Sequence, residues 1–215
     1  MDTDLDRYIL DHISPEDPVL ADLDRQTHLR VIQPRMLSGH LQGELLTMLT
    51  AMIRPRYVLE LGTFTGYSAI AIARGLERPD AVLHTVEKND ELQDLAAEYI
   101  GRAGLRDRIV QHIGPALEVV PGLGLVFDLV FIDADKREYP DYYRMLMEGG
   151  LVRSGSILLA DNVLWNGKVA EEKDRGGSDR QTQGILEFNR MVREDTRVEK
   201  VIVPLRDGLT IIRVK

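Results

Sequence analysis

The sequence contains no cysteine. That absence removes disulfides, thiolate-ligated zinc, iron–sulfur clusters and thiol nucleophiles together. Long apolar runs are missing as well, and no stretch approaches the ~20 residues of a bilayer-spanning helix. Positive charge is scarce, with 27 Lys+Arg against 35 Asp+Glu and a formal charge of −8. This balance argues against broad binding to nucleic acid or to anionic membrane. Only a local basic patch is left, for which Arg30, Arg35 and Arg54 are the candidates. No internal repeat, low-complexity tract or Pro/Gly/Ser-rich linker interrupts the chain. The opening MDTDLDRYILDHI is acidic and amphipathic, unlike a basic-then-apolar secretory signal. What is present is globular: 215 residues, 44% hydrophobic and 29% charged. These features predict a soluble, cytoplasmic chain folded as one domain, helical over 1–55 and with its core over 56–215.

From residue 57 onward, short β-branched runs alternate with helical patterns. The predicted strands are YVLEL (57–61), AVLHTVE (81–87), RIVQHIG (108–114), FDLVFID (127–133) and SILLADN (156–162). Helices are expected near 66–77, 89–103, 115–120 and 138–149. Apolar strands separated by helices indicate a parallel sheet covered on both faces. VEKVIVP (198–204) and GLTIIRV (208–214) are separated only by LRD, which permits an antiparallel hairpin and no crossover. The fold class is therefore α/β: a mostly parallel seven-stranded sheet ending in an antiparallel hairpin. The first 55 residues read as helices capping the ligand-binding edge, with starts at Ser14-Pro15-Glu16 and Ser38-Gly39. The stretch EEKDRGGSDRQ (171–181) reads as a solvated loop.

Two sets of residues at strand ends carry chemistry. The first strand runs into Gly62-Thr63-Phe64-Thr65-Gly66, a G-x-x-x-G loop and not the G-x-G-x-x-G of dinucleotide sites. An acid, Glu87, closes the second strand, where a carboxylate can accept hydrogen bonds from ribose hydroxyls. Glu60, Gly62 and Glu87 together fit a nucleoside without phosphates, of which S-adenosylmethionine is the common cofactor. The second set is Asp133, Asp161 and Asn162, at the ends of the fourth and fifth strands. Two carboxylates and an amide oxygen suit a hard divalent cation, most naturally Mg²⁺. Lys136 lies one short turn beyond Asp133, within reach of a hydroxyl held by such a cation. Trp165 and Tyr67 read equally as pocket walls or as ordinary packing, and His40 and His112 as structural or surface groups.

With these motifs the chain resembles the cation-dependent class I O-methyltransferases, the catechol and caffeoyl-CoA group with its small bacterial relatives. The likeness rests on ELGTFTGYS at 60–68, VEKN at 86–89, GPAL at 114–117, FIDADK at 131–136 and ADNVLWNGKV at 160–169. EFN at 187–189 and DGLTI at 207–211 extend it. The resemblance implies a Rossmann-like class I methyltransferase fold. It implies cofactor contacts at Ser38, Glu60, Gly62, Thr63, Ser68, Glu87, Ala116 and Asp133. Asp133, Asp161 and Asn162 fall on its metal ligands, and Lys136 on its catalytic base. The DADK form at 133–136 resembles the caffeoyl-CoA and bacterial members, so a catechol-specific hydrophobic wall is not expected.

The expected reaction is methyl transfer from the sulfonium of S-adenosylmethionine to a hydroxyl of a catechol-like small molecule. A divalent cation would orient the acceptor and favour its oxyanion, with Lys136 as general base or as an orienting group. The alternative within the family is a tRNA hydroxyuridine O-methyltransferase, which the net charge disfavours. A nicotinamide-dependent oxidoreductase lacks its glycine fingerprint here, and a non-catalytic binding module would not need both ligand sets. The resemblance further implies a homodimer. It gives no reason to expect a membrane partner.

Overall fold

A computed structural model describes residues 4–171 and 179–215. Its strands are β1 (Tyr57–Leu61), β2 (Val82–Glu87), β3 (Ile109–Ile113), β4 (Leu129–Ile132), β5 (Ile157–Asp161), β6 (Val198–Val203) and β7 (Leu209–Val214). They form one sheet in the order β3-β2-β1-β4-β5-β7-β6. β1 to β5 pair in parallel, while β7 runs antiparallel to both β5 and β6. Mostly parallel with a terminal hairpin, the sheet is the one expected from the sequence.

Alternation along the strands divides the core in two. Leu59, Leu61, Val130, Ile132, Leu158 and Ala160 pack on one face, against Tyr139, Phe188 and Ile185. Val58, Leu129, Phe131 and Leu159 pack on the other, against Leu46, Ile70 and Tyr99. The helices are α1 (Asp4–Asp11), α2 (Pro18–Arg30), α3 (Gly39–Ile53), α4 (Tyr67–Arg74), α5 (Gln93–Arg102), α6 (Ala116–Gly122), α7 (Tyr139–Glu148), α8 (Lys168–Glu171) and α9 (Arg180–Glu194), and α3, α4, α5, α7 and α9 supply these partners. No helix among the described residues is long and apolar enough to cross a membrane.

Two expectations need correction, and the helix start at Ser38-Gly39 stands. α2 begins at Pro18 and not at Ser14-Pro15, because the Asp17 carboxylate accepts from Val19 N at 2.8 Å and Pro18 fills the first helical position. Ser38 does precede α3, yet its side chain makes no capping hydrogen bond. Where it is described, the segment expected as a loop at 171–181 belongs to helix ends. Residues 172–178 lie outside the described residues, Glu171 ends α8, and the Asp179 carboxylate accepts from Gln181 N and Thr182 N at 3.0 Å to start α9.

What positions the site is the reversal of strand order between β1 and β4. From β1 the chain adds β2 and β3 to one side, and β4 and β5 stack on the other. The carboxyl ends of β1 and β4 diverge there and leave a crevice. They remain joined at the base, where Asp133 N donates to Leu61 O at 2.9 Å. Gly62 sits at this junction with φ +97°, and a Cβ on it would stand 2.3 Å from Asp133 O. No other residue fits that approach.

Candidate active site

The crevice is a cavity of about 820 Å³. Ser38, Gly62, Thr63, Ser68, Glu87, Ala116, Asp133, Lys136, Asp161 and Asn162 all line it. Ten of the eleven residues expected at the site therefore converge. Glu60 does not reach the wall: it is fully buried beneath it, on the same sheet face as Val58.

Glu87 is held from two sides. Its Oε2 accepts from Phe64 N at 3.0 Å and its Oε1 from Asn89 N at 3.1 Å. Those donors belong to the loop after β1 and the turn after β2, so the carboxylate is fixed by backbone at the cavity wall. Thr63, behind it, shares a 2.5 Å hydrogen bond with Thr85, whose hydroxyl donates to Glu60 Oε2 at 2.6 Å. Glu60 Oε1 has no partner among the described residues. Burial, the dominant cause, raises the Glu60 pKa to about 8, and the nearby charges of Asp133 and Glu87 add to the rise.

That shift has a sign. Between about pH 4.5 and 8 the folded chain holds a proton on Glu60 that the unfolded chain has lost, so stability falls as pH rises through this window. Glu60→Gln, a neutral isostere, should flatten the fall. Melting of the ligand-free variant at pH 8 is expected at least ~2–4 °C above wild type, the shift made by ~1 kcal/mol in a chain of this size. Near pH 4.5 the two should coincide. Equal melting at both pH values would mean that the carboxyl ionises freely where it lies.

The opposite end of the cavity is acidic. Asp161 is 3% exposed, and its Oδ1 accepts from Asn162 N at 2.8 Å. Asn162 takes a left-handed φ of +59°, a conformation asparagine tolerates better than most residues. Burial raises the Asp161 pKa to about 6, with the charge of Asp133 next in importance. Lys136 is 7% exposed and donates to Asp133 Oδ1 and to the Tyr139 hydroxyl, both at 2.8 Å. Tyr139 is fully buried, and its hydroxyl lies 2.9 Å from Ile132 O and 3.1 Å from Asp161 O. Its single proton serves one carbonyl while its lone pair takes the lysine. Burial and the charges of Asp133 and Asp161 push its pKa well up, so it stays a neutral anchor.

Several residues here carried no sequence signal. Tyr139 lies in the next turn after DADK, Gln42 is a buried amide on the inner face of α3, and Arg206 belongs to the hairpin connection. Only the Gln42 oddity, a polar residue inside the apolar stripe of α3, hints at a partner. Trp165 lines the cavity and also packs against the core, so both readings of it hold. Tyr67 lines the cavity as well, but its hydroxyl donates to Glu16 at 2.5 Å. His40 contacts Ser14 O at 2.8 Å, and His112 lies 3.0 Å from His84; neither lines the cavity. The expected basic patch divides: Arg30 and Arg35 line the cavity, while Arg54, at the far end of α3, pairs with Glu77.

The seven-stranded α/β sheet, with a crevice at its switch point and the acids Asp133 and Asp161 lining it, is the architecture of the class I methyltransferases. A family model described as O-methyltransferase matches residues 11–215, and the chain belongs to that family. The catechol O-methyltransferase of Niastella koreensis is 32% identical over 98% of this chain and 96% of its own length. Caffeoyl-CoA O-methyltransferase 1 of Arabidopsis thaliana is 31% identical over 98% of this chain and 84% of its own. Among solved structures, the O-methyltransferase from Bacillus cereus in complex with SAH superposes with a TM-score of 0.90 at 30% identity, covering 99% of this chain and 98% of that one. The O-methyltransferase TomG from Streptomyces achromogenes, in complex with SAM, gives 0.89 at 32% identity, covering 98% and 96%. The nicotinamide and non-catalytic readings fall with this membership.

Proposed function

We propose that this O-methyltransferase uses S-adenosylmethionine to methylate a hydroxyl of a catechol-like small molecule, with a divalent cation at its acidic pole. The observation that carries the reading is the polarity of one cavity: a backbone-fixed Glu87 at one end and the Asp133–Lys136–Asp161 group at the other. Glu87 suits the ribose hydroxyls, with Ala116 at the first turn of α6 beneath the base. Gly62, Thr63, Ser68 and Ser38 suit the methionine end, and the unpartnered Glu60 Oε1 suits a donor arriving there.

The acidic pole fits a hard cation. No group of three or more His, Cys, Asp or Glu able to hold a metal forms among the described residues; the proposed donor set is the Asp133 and Asp161 carboxylates with the Asn162 amide, all three lining the cavity. The buried Asp161, its pKa raised by burial and by Asp133, is the kind of under-compensated carboxylate that a cation relieves. Such a cation, when bound, supplies positive charge that favours the acceptor oxyanion. The chain's residues do the rest. Asp133, Asp161 and Asn162 hold the pole in place, Trp165 walls it, and Lys136 Nζ, a neutral amine once it has released its own proton to solvent, takes the acceptor proton.

The test is transfer of labelled methyl from S-adenosylmethionine to two pools, catechol-type phenols and unmodified cellular tRNA, each with and without EDTA. Label is expected in the phenols and lost in EDTA. Label in tRNA alone would replace the substrate class, and full activity in EDTA would remove the cation.

A further inference from the structure

Gln42 lies on α3 at 1% exposure, outside every motif of the chain. Its side chain joins two groups of opposite character. Nε2 donates to Asp161 Oδ2 at 2.7 Å, and Oε1 accepts from Arg206 Nη1 at 3.1 Å. A guanidinium only donates and an ionised carboxylate only accepts, so the amide has a single workable orientation. Arg206 is itself tied down, donating to the carbonyls of Ser38 and Leu37, the second at 3.0 Å. One line of hydrogen bonds thus runs from the strap before α3, through the hairpin connection, to the end of β5. Each Asp161 oxygen then has one protein donor: Asn162 N for Oδ1 and Gln42 for Oδ2. The carboxylate cannot rotate without breaking both, and each oxygen keeps lone-pair capacity to spare.

We propose that Gln42 is a positioning residue for the cation pole, setting the Asp161 carboxylate through its amide while Arg206 fixes the amide. The inference rests on the cation reading of the proposed function. Removing partners that orient metal ligands typically weakens metal binding 10–100-fold. A residue that served only to fill α3 would instead lower melting temperature and active fraction, leaving affinity of the folded protein alone.

The experiment measures Mn²⁺ binding directly, by the paramagnetic resonance signal of the free ion, on wild type, Gln42→Leu and Gln42→Asn. No turnover is involved. Gln42→Leu is expected to bind Mn²⁺ about 10–100-fold more weakly, with S-adenosylmethionine affinity in EDTA within about twofold of wild type. Gln42→Asn keeps an amide on a shorter arm and should fall between, and it carries the test alone should Gln42→Leu fail to fold. Wild-type Mn²⁺ affinity in a folded variant would overturn the role of Gln42 while leaving the cation site standing. A wild type that binds no Mn²⁺ would overturn both.

Discussion

Asp161→Ala is expected to lower kcat/KM by more than about 100-fold, beyond what loss of a merely orienting partner does to a metal site. The reason is double. The substitution removes one of only two carboxylates at the pole, and it leaves Asp133 paired to Lys136 alone. Asn162→Ala removes a neutral oxygen and should cost less, and added Mg²⁺ should restore either variant only in part. Calcium should bind wild type yet support little turnover, since its longer bonds and looser geometry misplace the acceptor oxygen. The loss should not be an unfolding effect. Burial raises the Asp161 pKa to about 6, so above that pH the cofactor-free protein carries a charge that it solvates poorly. Removing it takes away that burden while costing the Gln42 amide its acceptor. The two effects oppose, and melting should move little. Calorimetry in EDTA should also find S-adenosylmethionine affinity largely intact, because Glu87 and the glycine loop are untouched. Full wild-type turnover in EDTA, with no trace metal left, would sink this account whatever the variants do.

The sheet was legible in the sequence because its central strands β1, β4 and β5 are buried on both faces and read as nearly unbroken apolar runs. β1 occupies 57–61 as expected, and the other strands differ from expectation only at their ends. α9 was not legible. It opens on polar Arg180-Gln181-Thr182-Gln183 and carries Gly184, which reads as a helix breaker. Packing explains that glycine: a Cβ there would stand 2.3 Å from Lys136 O and 2.9 Å from Arg137 Cα. The helix is pressed against the turn that bears the lysine, and only glycine allows the approach. The site divides along the same line. Residues at strand ends declared themselves through short motifs, since a parallel sheet brings all its carboxyl ends to one edge. Gln42 and Arg206 work through partners that local spacing does not reveal, 119 positions away for Gln42 and Asp161 and 164 for Arg206 and Gln42. Glu60 is legible only in part: its motif marks it, while alternation along β1 buries it beneath the cavity wall with Oε1 lacking a partner among the described residues.

Lys136→Ala should separate the chemistry from the binding. General-base catalysis by a positioned side chain is worth about 10²–10⁴-fold, and kcat is expected to fall by that order. A phenol acceptor ionises near ~10, so activity of the variant should climb with pH as the acceptor loses its proton unaided. Wild type should rise far less over the same range. S-adenosylmethionine affinity should stay near wild type, while cation affinity must be measured separately, because Lys136 also holds the Asp133 carboxylate. The ammonium in this structure is nevertheless buried between Asp133 and the Tyr139 hydroxyl, and its loss leaves Asp133 without its ion-pair partner. Melting must therefore be recorded beside kcat, and Lys136→Met, which keeps most of the buried volume, serves where alanine destabilises. Lys136→Arg decides between base and orienting charge. Arginine keeps the positive charge but does not give up its proton in this range. If Lys136 takes the proton, the arginine variant should be nearly as slow as alanine and show the same climb with pH. Retention of wild-type kcat by a folded arginine variant would show that charge alone suffices at this position, and would assign the deprotonation to the cation.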